Sequence, residues 1–138
     1  MGILIDTDIW VDVERGALSP ADVAAVTGSE PVFLSPVTIA ELKFGADNAE
    51  DPDSRQRRLA ALDRLKRKPV LLIDASTGEV FGRLAAELRR TGRGHEFPIQ
   101  DLWLASQAVQ HGFGLLTRNR KDVQDVPGLD LRLLPARS

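Results

Sequence analysis

The segment LIDTDIW, residues 4–10, runs from a short apolar stretch directly into two aspartates, Asp6 and Asp8. Residues 2–5 are typical of a buried strand, because a glycine precedes three aliphatic side chains and a polar break follows them. Beyond Asp6, apolar residues recur at helical spacing until Gly16, where a helix would stop. The segment therefore predicts a strand followed by a helix, with Asp6 at the carboxyl end of the strand.

The same alternation of strand and helix continues along the chain. The further predicted strands are Pro31–Leu34, Val70–Ile73, Gly114–Thr117 and Leu129–Leu134. The further predicted helices are Pro20–Thr27, Val37–Phe44, Arg55–Lys68, Ser76–Arg90 and Ile99–Gln110, with a turn or short helix at Asn119–Val123. Strands that alternate with helices form a parallel sheet with helices on both faces. We therefore expect an α/β sandwich.

Length and composition limit the classes of protein and of site. With 138 residues, of which 43% are hydrophobic, the chain is expected to form a single domain over residues 1–138. The absence of cysteine excludes thiolate zinc sites and cysteine nucleophiles, and two histidines leave a metal to be bound mainly by oxygen. No apolar run approaches the roughly 18 residues of a membrane span, and no signal peptide is apparent. We expect a cytoplasmic protein.

Charge is distributed unevenly along the sequence. Residues 55–93 contain 11 Lys and Arg against 4 Asp and Glu, whereas the rest of the chain contains 7 against 16. A basic segment permits binding to a polyanion, while an acidic cluster elsewhere would collect cations. Charged helices that simply face water are the alternative explanation.

Two acids on predicted helices have apolar neighbours. Glu41 has Val37 one turn before it and Phe44 one turn after it, so its carboxylate is expected to project along an apolar stripe. Asp101 similarly shares a face with apolar residues of 104–108. An ionised carboxylate in such surroundings requires a compensating cation or hydrogen-bond donors. A buried arginine would also compensate either acid, and Asp101 would interact favourably with its own helix dipole.

Four acids are expected at one edge of the sheet. Asp6 ends the first strand, Glu41 follows the second, and Asp101 and Asp122 flank the fourth. Ligands of parallel sheets bind beyond the carboxyl ends of the strands. Gathered carboxylates repel one another, and Mg²⁺ or Mn²⁺ relieves that repulsion through oxygen ligands. The pattern favours metal-assisted hydrolysis of a phosphodiester.

Four motifs in order, LIDTDIW, SPVTIAEL, QDLWLASQA and LLTRNRKDV, resemble those of PIN-domain ribonucleases, and more narrowly VapC-type toxins of toxin–antitoxin systems. The resemblance covers nearly the whole chain. It implies a three-layer α/β/α sandwich with a parallel sheet of about five strands, ribonuclease activity, and a Mg²⁺ or Mn²⁺ site made by three acids and a more variable fourth. It also implies a cognate antitoxin as partner, an RNA substrate, and a homodimer.

The resemblance assigns catalytic and metal-binding roles to Asp6, Glu41 and Asp101. For the fourth acid we choose Asp122, because Asn119 is neutral. Four further residues of the motifs are assigned supporting roles: Thr7, Asp8, Thr117 and Asn119. For Asp8 we expect an outer hydrogen-bonding role or the capping of the first helix. Many relatives have an aromatic residue where this chain has Val123, so we expect the local packing around Asp122 to differ from theirs.

Basic residues near these motifs are candidates for binding RNA phosphates through charge-assisted hydrogen bonds. They are Arg89, Arg90, Arg93, Arg118 and Arg120. The resemblance also suggests that residues 55–68 form part of a groove for an amphipathic, acidic antitoxin segment. We assign Trp10 and Trp103 to core or dimer packing.

Three alternatives stay open at this point. In a haloacid-dehalogenase-like phosphatase Asp6 would be the nucleophile and Asp8 the acid/base, but the paired acids and the lysine of that class are not apparent. A response-regulator receiver fits less well, because no lysine occurs near the fifth strand. In a non-catalytic domain that binds only RNA or protein, the four acids would not need to converge.

Overall fold

The structure is a computed structural model that describes residues 1–92 and 97–134. The strands are β1 (Ile3–Ile5), β2 (Val32–Phe33), β3 (Gly114–Thr117) and β4 (Asp130–Leu133). The helices are α1 (Thr7–Glu14), α2 (Pro20–Thr27), α3 (Pro36–Asp47), α4 (Pro52–Leu65), α5 (Ala75–Arg90), α6 (Ile99–His111) and α7 (Arg120–Val123). Within these ranges, no helix is both long enough and apolar enough to cross a bilayer.

The four strands form one parallel sheet in the order β2-β1-β3-β4. Leu4 of β1 pairs with Phe33 on one side and with Leu115 on the other. The backbone N–H of Asp6 donates to the carbonyl of Leu116 at 2.9 Å, which extends the central pairing by one residue. The residues that follow β1 and end β3 therefore emerge side by side at the carboxyl edge.

The expected strand Val70–Ile73 forms only a single bridge, between Val70 and Leu34. Two backbone hydrogen bonds hold it, from Leu34 to the carbonyl of Pro69 and from Leu71 to the carbonyl of Leu34. Beyond this point Leu72 is 70% exposed, so burial does not favour continued pairing. Within the part of the chain that the structure describes, the sheet has four strands, and a single bridge occupies the position of the expected fifth strand.

Hydrophobic side chains cover both faces of the sheet. Because side chains alternate along a strand, Leu4 points to one face while Ile3 and Ile5 point to the other. Leu4 packs with Leu84 and Leu88 of α5, with several residues of α6, and with Leu115. Ile3 and Ile5 pack with residues of α1 and α4 and with Leu116. This arrangement confirms the α/β/α sandwich.

Local capping chemistry sets the ends of the helices. Ser35 caps α3, whose first residue is Pro36. The prediction that this helix ends at Phe44, with Gly45 as its stop, is wrong: α3 continues to Asp47, and Lys43 forms an i,i+4 ion pair with Asp47. Asp51 then caps α4 by accepting from Ser54 N, so the connecting loop is shorter than expected.

Both tryptophans pack as expected. Trp10 is 7% exposed within the core on the Ile3 face. Trp103 stacks on Phe81 with their ring centroids 4.1 Å apart, which joins α6 to α5.

Candidate active site

Asp6 is the most buried of the acids proposed for the site. It ends β1 and caps α1, and its residue is 7% exposed. Oδ1 accepts from Thr7 N at 2.7 Å, and Oδ2 accepts from the Thr117 hydroxyl at 2.7 Å. Burial raises the pKa of Asp6, while these two hydrogen bonds act in the opposite direction. The carboxylate is thereby fixed at the carboxyl edge between β1 and β3.

Thr7 connects Asp6 to Glu41 of α3. Its hydroxyl donates to Glu41 Oε1 at 2.9 Å and also lies 2.9 Å from the hydroxyl of Thr38. Burial and then the charge of Asp6 raise the pKa of Glu41, whereas the Thr7 hydrogen bond lowers it. The structure therefore brings the first two acids together through Thr7, whose hydroxyl is in contact with that of Thr38.

The predicted apolar stripe on the Glu41 face of α3 is wrong. Phe44 is 70% exposed, so it does not form a buried stripe with Glu41. The carboxylate points towards the acid cluster because Thr7 donates to it. The position of Glu41 after the second strand predicts its place near Asp6, whereas the burial of its helix face does not.

Asn119 links the acids on either side of β3. Its side-chain amide donates to Asp101 Oδ2 at 3.3 Å and also donates to Asp122 Oδ2. Its backbone N–H donates to the Thr117 hydroxyl at 2.9 Å, and that hydroxyl in turn donates to Asp6. One hydrogen-bonded chain thus connects Asp6, Thr117 and Asn119 with Asp101 and Asp122.

Mutual repulsion is strongest at Asp101. Partial burial, and after it the surrounding negative charges, together raise the pKa of Asp101 to about 7. In order of decreasing effect, those charges belong to Asp6, Asp122, Glu41 and Asp8. The carboxylates are therefore close enough to disfavour full ionisation of the group at neutral pH.

Asp8 contributes another negative charge next to Asp6. Burial and then the charge of Asp6 raise its pKa to about 6. Its Oδ1 is buried and has no hydrogen-bond partner within the described residues. A buried carboxylate oxygen in this state is costly and attracts a cation or a donor.

The donor set fits a hard divalent cation, although the side chains are not gathered around one point. Among residues 1–92 and 97–134, no three acidic or histidine side chains form a ready-made metal site. The acids are instead held by Thr7, Thr117 and Asn119. Carboxylate oxygens with raised pKa values and an unpartnered Asp8 Oδ1 are suited to Mg²⁺ or Mn²⁺.

The candidate RNA-binding arginines occupy different environments. Arg118 donates to Asp12 Oδ2 at 2.7 Å in a half-buried ion pair, and its Nε has no partner within the described chain. Arg120 is exposed at the start of α7, and Arg89 and Arg90 are exposed at the end of α5. Arg93 lies outside the described residues.

Two residues near the site were missed in the sequence. Thr38 is one helical turn before Glu41, and that spacing alone would have placed its hydroxyl on the same face. Asp12 is one turn after Asp8 on α1, and it binds Arg118. No sequence signal pairs Asp12 with Arg118, because the contact depends on how α1 packs against the end of β3.

A groove of about 710 Å³ runs between α1, α3 and α4 and reaches the acids at Thr7 and Glu41. The residues that give it an apolar and basic character are Trp10, Leu42, Leu62, Leu65, Arg57, Arg58 and Arg64. The groove therefore joins a basic, apolar channel to an acidic cleft.

Residues 3–129 match the family model described as the PIN domain. The chain is 30% identical over 128 residues to "Ribonuclease VapC4" of Mycobacterium tuberculosis, a match that covers 93% of each chain.

Two solved structures have the same fold. A chain of the crystal structure of VapBC2 from Rickettsia felis bound to a promoter DNA fragment aligns with a TM-score of 0.83 at 21% identity, covering 98% of this chain and 100% of that one. A chain of VapBC-5 from Mycobacterium tuberculosis, a member of the VapBC family of toxin–antitoxin systems, aligns with a TM-score of 0.72 at 27% identity, covering 98% of both chains.

Proposed function

This chain belongs to the PIN-domain family, and on that premise we propose that it is a divalent-metal-dependent endoribonuclease and the toxin of a toxin–antitoxin pair. The main support is the connection of four acids from distant parts of the sequence at one edge of the sheet. These are Asp6, Glu41, Asp101 and Asp122, joined through Thr7, Thr117 and Asn119.

The four acids would hold the cation, and their neighbours would orient them. Thr117 and the backbone of Thr7 fix the two oxygens of Asp6. The Thr7 hydroxyl directs Glu41 towards the same cleft, and Asn119 spans the other two acids. Asp8 would act from outside the ligand set by adding negative charge. These arrangements preorganise oxygen donors, which favours Mg²⁺ or Mn²⁺ over softer metals.

When bound, the cation would supply Lewis acidity that lowers the pKa of a water molecule and offsets charge on the scissile phosphate. The protein would provide the oxygen ligands, and exposed arginines would hold the RNA. We propose Arg120, Arg89 and Arg90 for contacts with RNA phosphates, since their side chains are exposed. Arg118 is less available, since it is paired with Asp12.

An antitoxin partner is supported by the toxin–antitoxin relatives and by the groove between α1, α3 and α4. The arginines that line the groove favour an acidic partner segment, and Trp10 and the leucines favour apolar side chains. We infer a cytoplasmic location, where the proposed substrate occurs. Homodimerisation stays a prediction.

The proposal is tested by cleavage of structured RNA with and without divalent cations. We expect cleavage in Mg²⁺ or Mn²⁺, none after chelation, and loss of at least about 100-fold in Asp6→Asn and Asp101→Asn, as expected for groups that bind a catalytic ion. Asp63→Asn, which removes an exposed acid of α4, serves as the matched control. Circular dichroism verifies that all variants are folded.

Two results would contradict the proposal. One is cleavage that persists in a metal chelator, and the other is unchanged activity in both Asp6→Asn and Asp101→Asn. A phosphoaspartate trapped on Asp6 would instead favour the phosphatase alternative.

A further inference from the structure

Gln107 is a fully buried polar side chain in the middle of α6, and both ends of its amide are hydrogen-bonded. Its Oε1 accepts from the Ser35 hydroxyl at 2.5 Å. Its Nε2 donates to the carbonyl of Leu71 at 2.6 Å. Because an unsatisfied buried amide is costly, these contacts fix the side chain in one orientation.

Ser35 connects this amide to the helix that carries Glu41. Ser35 is fully buried and caps α3, with its hydroxyl accepting from Val37 N at 3.1 Å. One hydroxyl thus accepts from the first turn of α3 and donates to Gln107 of α6. The start of α3, which carries Glu41, is thereby fixed to α6, whose first turn contains Asp101.

Leu71 adds a third chain segment to the same point. It follows α4 and donates its own N–H to the carbonyl of Leu34, directly before Ser35. Gln107 therefore joins α6 to the connection between β2 and α3 and also to the segment after α4. The Gln107 side chain thus adds to the backbone hydrogen bonds that hold this segment beside Leu34.

The two helices held in this way carry acids that have no direct connection. No hydrogen bond joins Glu41 to Asp101 within residues 1–92 and 97–134, and each is bound to a different neighbour, Thr7 or Asn119. The helices α3 and α6 are in contact, so their relative position determines how far apart the two carboxylates lie. The Ser35–Gln107 bond is a buried contact that fixes that position.

We infer that Gln107 is a positioning residue that sets the separation of Glu41 and Asp101, and through it the affinity of the site for a divalent cation. The inference rests on the metal site of the proposed function. It assigns Gln107 no contact with metal or RNA. Its effect is transmitted through Ser35 and the rigid axis of α3.

The test is titration of the full-length protein with Mn²⁺ alone, measured calorimetrically at a temperature far below the melting transition. Gln107→Met keeps the length of the side chain and removes both hydrogen bonds. We expect it to weaken Mn²⁺ binding about 10-fold, in the range found when groups that support metal ligands are removed. The readout is a dissociation constant, which loss of stability alone would not change in a folded sample.

Gln110→Met is the matched control. Gln110 lies one turn further along α6 and also makes two side-chain hydrogen bonds, accepting from Thr77 and donating to Asp74. Those partners belong to the start of α5, which carries none of the four acids. We expect Gln110→Met to lower the melting temperature while leaving Mn²⁺ affinity within about twofold, because sites without shared partners act independently.

Two variants of Ser35 test the Ser35–Gln107 hydrogen bond from the serine side. They also provide the test if Gln107→Met does not fold. Ser35→Ala removes the donor to Gln107 and should weaken Mn²⁺ binding, whereas Ser35→Thr retains the hydroxyl and should restore it. Unchanged Mn²⁺ affinity in folded Gln107→Met or Ser35→Ala, or equal weakening by Gln110→Met, would overturn the inference. If the wild-type protein binds no Mn²⁺, the proposed metal site itself fails, which is a distinguishable result.

Discussion

Asp6 and Asp101, from opposite ends of the chain, repel each other across the cleft at the carboxyl edge of the sheet. The charge of Asp6 adds to partial burial in raising the pKa of Asp101 to about 7. In the absence of a cation, this repulsion makes the site a source of instability in the folded protein. Function and stability are therefore opposed at this pair, as is common at active sites.

Asp101→Asn should stabilise the metal-free protein. The substitution removes a partly buried charge and, with it, the repulsion by the neighbouring acids. Each tenfold change in proton affinity corresponds to about 1.4 kcal/mol, so we expect a gain of roughly 2 to 4 kcal/mol at pH 8. Urea unfolding in chelator measures the change. Asp63→Asn is the control and should change stability by less than about 0.5 kcal/mol, because Asp63 is exposed. A less stable Asp101→Asn protein would contradict the repulsion.

The metal-free protein should lose stability as pH rises from about 4 to about 7. Asp8 and Asp101 have folded-state pKa values of about 6 and about 7, above the ordinary value of 3.8. The folded state therefore holds more protons than the unfolded state within this window, and its stability falls as these protons leave. Urea unfolding in the presence of a chelator, measured between about pH 4 and pH 7, tests whether stability falls as pH rises.

Saturating Mn²⁺ should weaken or reverse this decrease in stability with rising pH. Cation binding requires deprotonated carboxylates, so Mn²⁺ affinity should increase as pH rises through the same range. Calorimetric titrations at three pH values measure this increase. A Mn²⁺ affinity that does not depend on pH would be inconsistent with ligands whose pKa values are raised.

Asp8→Asn should distinguish an outer acid from a direct ligand. Because Asp8 Oδ1 is buried without a partner among the described residues, neutralising this side chain should raise metal-free stability by roughly 1 kcal/mol. Asp8→Asn should weaken Mn²⁺ binding by about 10-fold without abolishing it, as expected for a group that supports the ligands. Asp6→Asn should abolish Mn²⁺ binding. Complete loss of Mn²⁺ binding in Asp8→Asn would instead make Asp8 a ligand.

Arg118 and Arg120 should separate structural from RNA-binding roles. Arg118→Ala removes a half-buried ion pair with Asp12, and the remaining unpaired acid should cost about 1 to 3 kcal/mol of stability. Arg120→Ala removes an exposed charge, so stability should hold while RNA binding weakens and its salt dependence becomes shallower. Chemical unfolding and RNA titrations at several salt concentrations measure the two effects. If Arg120→Ala lowers stability and Arg118→Ala weakens RNA binding, the two assignments are reversed.

Trp10 should report occupation of the groove by the antitoxin. The chain has two tryptophans, so Trp103→Phe leaves Trp10, which lines the groove, as the single fluorophore. Addition of the cognate antitoxin should change its emission. Arg57→Glu should slow association about 10-fold at low salt, an effect that salt should reduce. Arg83→Glu on α5 is the control outside the groove, and equal slowing by both variants would argue against this docking surface.

The sequence was most informative where local chemistry determines structure. The step from an apolar strand into Asp6, the cap at Ser35 and the segment Gly114–Thr117 all gave correct elements, because burial and capping act over a few residues. It was less informative at Gly45 and at Val70–Ile73. At Gly45 the contact that the sequence does not indicate comes from another helix, because Arg58 of α4 donates to the Gly45 carbonyl. At Val70–Ile73 the pairing depends on Leu34, which is distant in the chain.

The sequence by itself determined which residue types are available at the carboxyl ends of the strands, and hence that the site is acidic, free of thiolates and suited to a hard cation. Only the tertiary structure decided how those acids are connected. Thr7 directs an exposed Glu41, Asn119 spans Asp101 and Asp122, Asp12 engages Arg118, and Gln107 joins three segments. Hydrogen bonds act over about 3 Å between residues far apart in sequence, so they exist only once the sheet and helices have packed.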